Sequence, residues 1–276
     1  MKKIVLFLAV LLAFQSHAQK KPKIKGNKEV LIKKFTTPYF KQIEVGEKFE
    51  IELKKSVDTT RVVIETDDNL FDVIHFKVEN EVLKFYTIME IVKKKRLKIT
   101  VFVPDAFNKI KLYERAKVFN KESFDLQQLT LETAEKSKTD LSLNVKNSLV
   151  IEAGEKSDIQ LDVVTESVQV HLFDNAKLKT KLSAKYAEIA LDNHAYCKLE
   201  GSGEYLYLEA LDKSEYKSPD YQLKDAKLVV ADKANVYVNV SNNVELNLSG
   251  QSAVYLYGNP KINLKTFKDN AVLYKK

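Results

Sequence analysis

From residue 111 onward the chain alternates apolar and polar positions with a period of two, the pattern of strands that bury one face. Leu149 and Ile151, Val168 and Val170, Ala187 and Ile189, and Leu206 and Leu208 are such pairs. A short phrase punctuates the alternation: a carboxylate or amide, any residue, then Ala or Ser. The small residue stands at 116, 137, 157, 176, 195, 214, 234, 253 and 271, in steps of 21, 20, 19, 19, 19, 20, 19 and 18. Inward positions follow it by two and four, as in Ile159 and Leu161, Leu178 and Thr180, Cys197 and Leu199, Val236 and Val238, and Tyr255 and Tyr257. A second inward pair precedes it by eight and six. Near the end this pair shifts by one, with Val244, Leu246 and Leu248 turned inward, as a bulge or a shortened turn would cause.

A phase held for 155 residues predicts stacked repeats rather than independent hairpins. One unit of about 19 residues with two strand runs is one coil of an all-β solenoid, and each coil needs its neighbours to cover its inward side chains. Eight steps at about 4.8 Å per rung give a rod about 38 Å long. A β-sandwich would explain the alternation but not the constant phase. Residues 35–110 alternate less regularly (Ile43, Val45, Ile51 and Leu53, then Val62 and Ile64, then Leu97 to Val103) and are expected to form irregular coils closing the N-terminal end of the rod. The regular solenoid is expected over 111–276. Lys275 and Lys276 after the last strand would discourage end-to-end pairing.

Charge and composition sharpen this picture. Lys2 and Lys3, the apolar run Ile4 to Phe14, and the small residues Ser16 and Ala18 predict a signal peptide over 1–18. Its apolar run of 11 is too short for a membrane span, which needs about 20. Export is therefore expected, to the periplasm or the outer surface. Residues 19–34 carry seven lysines and read as a basic tether. Its lysines either hold anionic lipid or glycan headgroups or form a solvated arm, and the second is the expectation. The 7 Gly and 5 Pro are few, which excludes collagen-like and Gly-rich calcium-repeat designs. The single Cys197 falls at an inward position and reads as core.

No catalytic constellation stands out. His75, His171 and His194 lie far apart, there is no Gly-x-Ser-x-Gly elbow, and no Gly-rich phosphate loop. No enzyme, cofactor or metal site is expected, and a nucleic-acid partner does not fit an exported chain of modest charge. Stacking turns each repeat position into a column. The column two before the small residue is acidic (Glu135, Glu155, Asp174, Asp212), which suits either a cation or the satisfaction of turn amides. Local counter-charge at Lys136, Lys156 and Lys213 favours the turn role. The column three after it holds Lys179, Lys198 and Lys217 on successive rungs and then Tyr237, with Tyr196 facing outward nearby. These five are the candidate ligand-binding residues, as a strip for an anionic glycan or a surface protein.

The chain also resembles the head GIN-domain family of exported auto-transporter adhesins. The resemblance spans about 35–274 and rests on Ile43-Glu44-Val45-Gly46, Asp67-Asp68-Asn69-Leu70, the run Leu97 to Pro104, the repeated Ala/Ser positions, and Tyr255-Leu256-Tyr257-Gly258-Asn259-Pro260. It implies a right-handed parallel β-helix and an adhesin-like binding module, with no catalytic residues to carry over. A structural or stress-related periplasmic module, held by its ends in a homo-oligomer, and a degenerate polysaccharide-processing solenoid remain as alternatives.

Overall fold

The structure is a computed structural model and describes residues 21–56 and 59–276. The expected signal peptide, 1–18, lies outside the described residues. The chain forms the expected β-solenoid. Six long bent strands, Lys138–Ala153, Asp158–Leu172, Lys177–Leu191, Tyr196–Ala210, Glu215–Val230 and Asn235–Leu248, each make most of one coil. Each pairs in parallel with the next, as in Asp158↔Lys177 and Leu172↔Leu191. The alternation explains the pairing, because in-register stacking puts apolar on apolar in every rung. One inward column runs Thr139, Ile159, Leu178, Cys197, Tyr216, Val236, Val254, all fully or nearly fully buried. The β-sandwich alternative is excluded by this continuous parallel ladder.

The small residues sit on the inside of a tight corner. Ala116, Ser137, Ser157, Ala176, Ala195, Ser214 and Ala234 are all buried, with no room for a longer side chain. The next member of the column is Ser252, buried, and not Ala253, which pairs with the outward Asn235. Moving the corner by one residue restores the phase, since Val244 and Leu246 then precede it by eight and six. It also corrects Tyr255 and Tyr257, which were expected inside. Val254 and Leu256 fill the core there, and both tyrosines are half-exposed.

The corners are closed by turns with left-handed tips, two residues at Glu114–Arg115, Glu135–Lys136, Glu155–Lys156 and Asp174–Asn175, and one at Asn193, Asp212, Asp232 and Asp269. Glu155 and Lys156 have φ of 50° and 65°, and the Ser157 amide donates to the Gly154 carbonyl at 3.0 Å. Two successive positive φ values define the mirror-image turn that matches strand twist. Lysine, arginine and carboxylate side chains occupy positions where glycine or asparagine is usual, so the scarcity of glycine is met by strained tips rather than by a different turn.

The N-terminal region departs from coil geometry. Gln42–Val45 and Glu50–Lys55 form the first rung, parallel to Lys109–Leu112 and Lys117–Phe119. Outside them lie Val82–Thr87 and Leu97–Val103, again parallel. Beyond these the pairing turns antiparallel: Val30–Thr36 with Arg61–Asp67, Arg61–Asp67 with Leu97–Val103, and Ile74–Glu79 with Val82–Thr87. These hairpins cap the open end of the core. Much of the stretch expected as a tether is thus built into the cap, through Val30–Thr36 and through Lys23–Lys25, which pairs with Glu90–Lys93.

Candidate functional site

The outward column three residues after the corner runs the length of the rod. Its members are Asp140, Gln160, Lys179 and Lys198, paired rung on rung, then Lys217 opposite Tyr237, then Tyr255 and Tyr274. Four of the five candidate residues therefore lie in this column: Lys179 faces Lys198, and Lys217 faces Tyr237. Tyr196 lies one column away, opposite Lys177 and Glu215, beside Lys198 along its own strand.

The ladder breaks between Lys198 and Lys217. Register shifts between Cys197 and Gly201, and the Ser218 hydroxyl accepts the Leu199 amide at 2.9 Å in place of a backbone carbonyl. The strip is thus two pieces rather than three evenly spaced lysines. On one side Lys179 and Lys198 border a lateral groove of 360 Å³, shared with Asp140, Asp162, Lys181 and Glu200. Lys198 is drawn to Glu200, Nζ to Oε1 at 2.6 Å. That hydrogen bond and charge raise the Lys198 ammonium and lower the Glu200 carboxyl from their ordinary values. Lys198 is consequently half-neutralised, and Lys179 is the more available cation.

On the other side lies a feature that the misplaced corner hid. Tyr237 stacks on Tyr255 with centroids 4.3 Å apart and rings 3° from parallel, and Tyr255 stacks on Tyr274 at 4.7 Å. Lys217 lies 5.8 Å from the Tyr237 centroid, and Lys276 lies over Tyr255 and Tyr274. Cations over ring faces add to stacking in holding the column. Burial, followed by the neighbouring Tyr255, pushes the Tyr237 hydroxyl above its ordinary value. Burial and Glu215 do the same for Tyr196, against the opposing charge of Lys198. The Tyr196 and Tyr237 phenols are thereby kept as neutral donors at physiological pH. The face offers hydroxyls and ammoniums, chemistry that hydrogen-bonds and charge-pairs.

The acidic turn column acts on the turns themselves. The Glu114 carboxylate accepts the Glu47 amide at 2.9 Å, Asp212 accepts Asn193 at 3.2 Å, and Asp269 accepts Gly250 at 3.0 Å. Each carboxylate caps the tip of the preceding rung, which satisfies an otherwise unpaired donor. Among the described residues no three His, Cys, Asp or Glu side chains converge as a metal site would require. A groove of 1250 Å³ runs beside this spine under the cap, where Lys48, Arg115 and Lys136 alternate with Glu47, Glu114 and Glu135. Its charges cancel rung by rung. Cys197 is fully buried, and desolvation pushes its thiol far up, so it is no nucleophile.

The described residues form a parallel β-solenoid with a polar and aromatic outward face, a class of fold that presents a long lateral surface. The chain belongs to the family described as "Putative auto-transporter adhesin, head GIN domain", which matches residues 39–172 and 144–260. No match was found among curated proteins. Its fold is similar to that of a putative lipid binding protein from Parabacteroides distasonis, at 14% identity with TM-score 0.67, covering 92% of this chain and 99% of that one. It is likewise similar to a putative adhesin from Parabacteroides merdae, at 12% identity with TM-score 0.66 over 92% and 99% of the two chains. A putative adhesin from Parabacteroides distasonis matches at 15% identity with TM-score 0.67 over 92% and 100%. At these identities the likeness is one of fold. Among the described residues no helix is long and apolar enough to cross a membrane.

Proposed function

We propose that the protein is an exported, non-enzymatic adhesin-like module whose lateral face binds an anionic glycan or a protein of the cell surface or envelope. The observation that carries this reading is the outward column in its two pieces, Lys179 with Lys198, and Lys217 with Tyr237 extended by Tyr255 and Tyr274. Tyr196 adds a hydroxyl at its edge. A ligand lying along the rod axis would meet one contact per rung, about 4.8 Å apart. Each contact is weak, and affinity comes from their number.

The test is binding of the purified protein to a glycan array and to intact cells, beside Lys179→Glu/Lys198→Glu/Lys217→Glu. All three positions are solvent-facing, so the variant is expected to keep its melting temperature and lose acidic-glycan or cell binding. Unchanged binding would remove this face from consideration. Protease digestion of intact cells reports the compartment: cleavage on intact cells places the rod outside, and protection until the outer membrane is opened places it in the periplasm.

A further inference from the structure

A pocket of 490 Å³ in the N-terminal cap differs in charge from the others on the molecule. Four lysines, Lys28, Lys93, Lys94 and Lys95, line it with Ile91 and Val92, and no carboxylate does. Lysines so close repel each other, and a fold gathers them only at a cost. Here the gathering is built in from beneath. Asp67 is fully buried, and its carboxylate accepts the amides of Lys28 at 3.2 Å, Lys95 at 3.1 Å and Arg96 at 3.1 Å. Burial alone would raise this carboxyl, but the three amides and the Lys95 charge bring it below its ordinary value, so it stays ionised.

Other bonds complete the frame. The Gly26 amide donates to the Lys93 carbonyl at 2.8 Å, and Asn69 takes the Asn27 amide and donates to the Lys25 carbonyl, both at 2.9 Å. Gly26 passes so close to the carboxylate that a Cβ there would fall 1.9 Å from Asp67 Oδ2. Two basic loops are thus pinned to one buried anion, and Lys95 Nζ ties them further by donating to the Lys28 carbonyl at 3.3 Å. Nothing in the solenoid needs this arrangement, since the core end is already covered by the antiparallel hairpins.

Beside the pocket the surface is apolar as well as basic. Val92, which lines the pocket, is 39% exposed, Ile88, two residues before the Glu90–Lys93 strand, is 52% exposed, and Lys23 and Lys25 extend the positive charge along the paired strand. We propose that this pocket seats the phosphate of an anionic phospholipid headgroup and holds the cap against a membrane surface. Ammoniums meet the phosphate, and the exposed aliphatics enter the headgroup boundary, the two-part design that membrane-surface binding requires. A soluble phosphate would leave Val92 and Ile88 in water, which favours the lipid as its source. This inference is independent of the lateral face.

The test is sedimentation of the purified protein with phosphatidylcholine vesicles, with and without phosphatidylglycerol, at fixed ionic strength. Phosphatidylglycerol-dependent binding is expected. Each lysine at a membrane surface contributes about fivefold, so Lys28→Gln/Lys93→Gln/Lys94→Gln loses about a hundredfold. These side chains take no part in the Asp67 bonds, and an unchanged melting temperature checks that the loops persist. Should the triple variant fail to fold, Lys94→Gln alone is expected to lose about fivefold. Lys179→Gln/Lys198→Gln/Lys217→Gln removes the same charge from the lateral face and is expected to keep vesicle binding. Equal loss in both triples would show diffuse charge attraction and overturn the proposal, as would binding indifferent to phosphatidylglycerol. Titration with inorganic phosphate separates the sources: saturation by phosphate without vesicle binding would reassign the pocket to a soluble anion.

Discussion

The interior of one coil holds two large tyrosines where its neighbours hold aliphatics, and this mismatch yields a sharp test. Tyr216 and Tyr221 are both fully buried, and neither hydroxyl has a hydrogen-bond partner. The space for Tyr221 comes from the preceding rung, where Gly203 stands in place of a side chain. A Cβ built there would lie 2.5 Å from the Tyr221 hydroxyl and 3.0 Å from the Ala184 carbonyl. An unsatisfied buried hydroxyl costs about 1–3 kcal/mol, so Tyr221→Phe, which keeps the ring, is expected to stabilise by about 1–2 kcal/mol. Gly203→Ala in the native background overpacks this corner at a cost of about 1–3 kcal/mol. With Tyr221→Phe in place the hydroxyl clash is gone, and the remaining contacts need shifts of a few tenths of an ångström. The two changes should therefore couple by about 1 kcal/mol or more in a double-mutant cycle. Urea unfolding gives the global numbers. Labelling of Cys197, buried in the preceding coil opposite Tyr216, gives the local opening free energy, a useful second reading where repeats open in parts. The reasoning fails if Tyr221→Phe lowers stability, which would mean that the hydroxyl is bonded, or if Gly203→Ala costs the same in both backgrounds.

Four further expectations rest on other parts of the molecule. Ser252→Lys should destabilise by about 3 kcal/mol or more by burying a charge, whereas Ala253→Lys on the outward face should stay within about 0.5 kcal/mol, read as urea midpoints. Lys136→Gly should stabilise by about 1 kcal/mol by relieving a left-handed lysine, visible as a raised melting temperature. Native Cys197 should resist thiol reagents and react at the unfolding rate, since its burial both hides the thiol and suppresses the thiolate; rapid native labelling would contradict the packing of that coil. Asp67 has a folded-state carboxyl held below its ordinary value of 3.8, so its contribution is present above that pH and disappears as pH falls through the lower, folded-state value. Native protein should therefore exceed Asp67→Asn in stability at neutral pH, and the two melting curves should converge as the solution is acidified below about pH 4.

The solenoid was legible because its information is local and repeated. A period of two and a small corner residue every 19 or so positions are readable from any one coil, and stacking then follows from the need to cover each coil's inward face. The one slip shows how the reading can fail. At Gln251-Ser252-Ala253 two small residues stand side by side, and either satisfies the corner in sequence terms. Only the flanking pairs discriminate, since Val244 and Leu246 before it and Val254 and Leu256 after it agree on Ser252. Choosing Ala253 inverted the faces of that strand, as a slip of one must. It turned the outward stack of Tyr237, Tyr255 and Tyr274 partly into core and cut the candidate face short.

The cap was illegible for the opposite reason. Its pairings join residues far apart without a repeat, such as Lys23 with Glu90 and Val30 with Asp67. Nothing in the lysine-rich stretch 19–34 announces a strand, because Lys33 and Lys34 are exposed in the folded cap too. What orders this region is a carboxylate buried some forty residues downstream, Asp67, whose partners are backbone amides and so leave no mark on the side-chain sequence. A lysine run reads as a flexible arm when charge alone is counted. Here Gly26 is the residue that betrays the fold, being the small residue that lets the basic loop close over that carboxylate. The same closure sets four ammoniums around one pocket, so the strength of the proposed lipid contact depends on a single buried anion. Asp67→Asn should weaken vesicle binding while every lysine remains in place, and a variant that kept full binding would show that the lysines need no such frame.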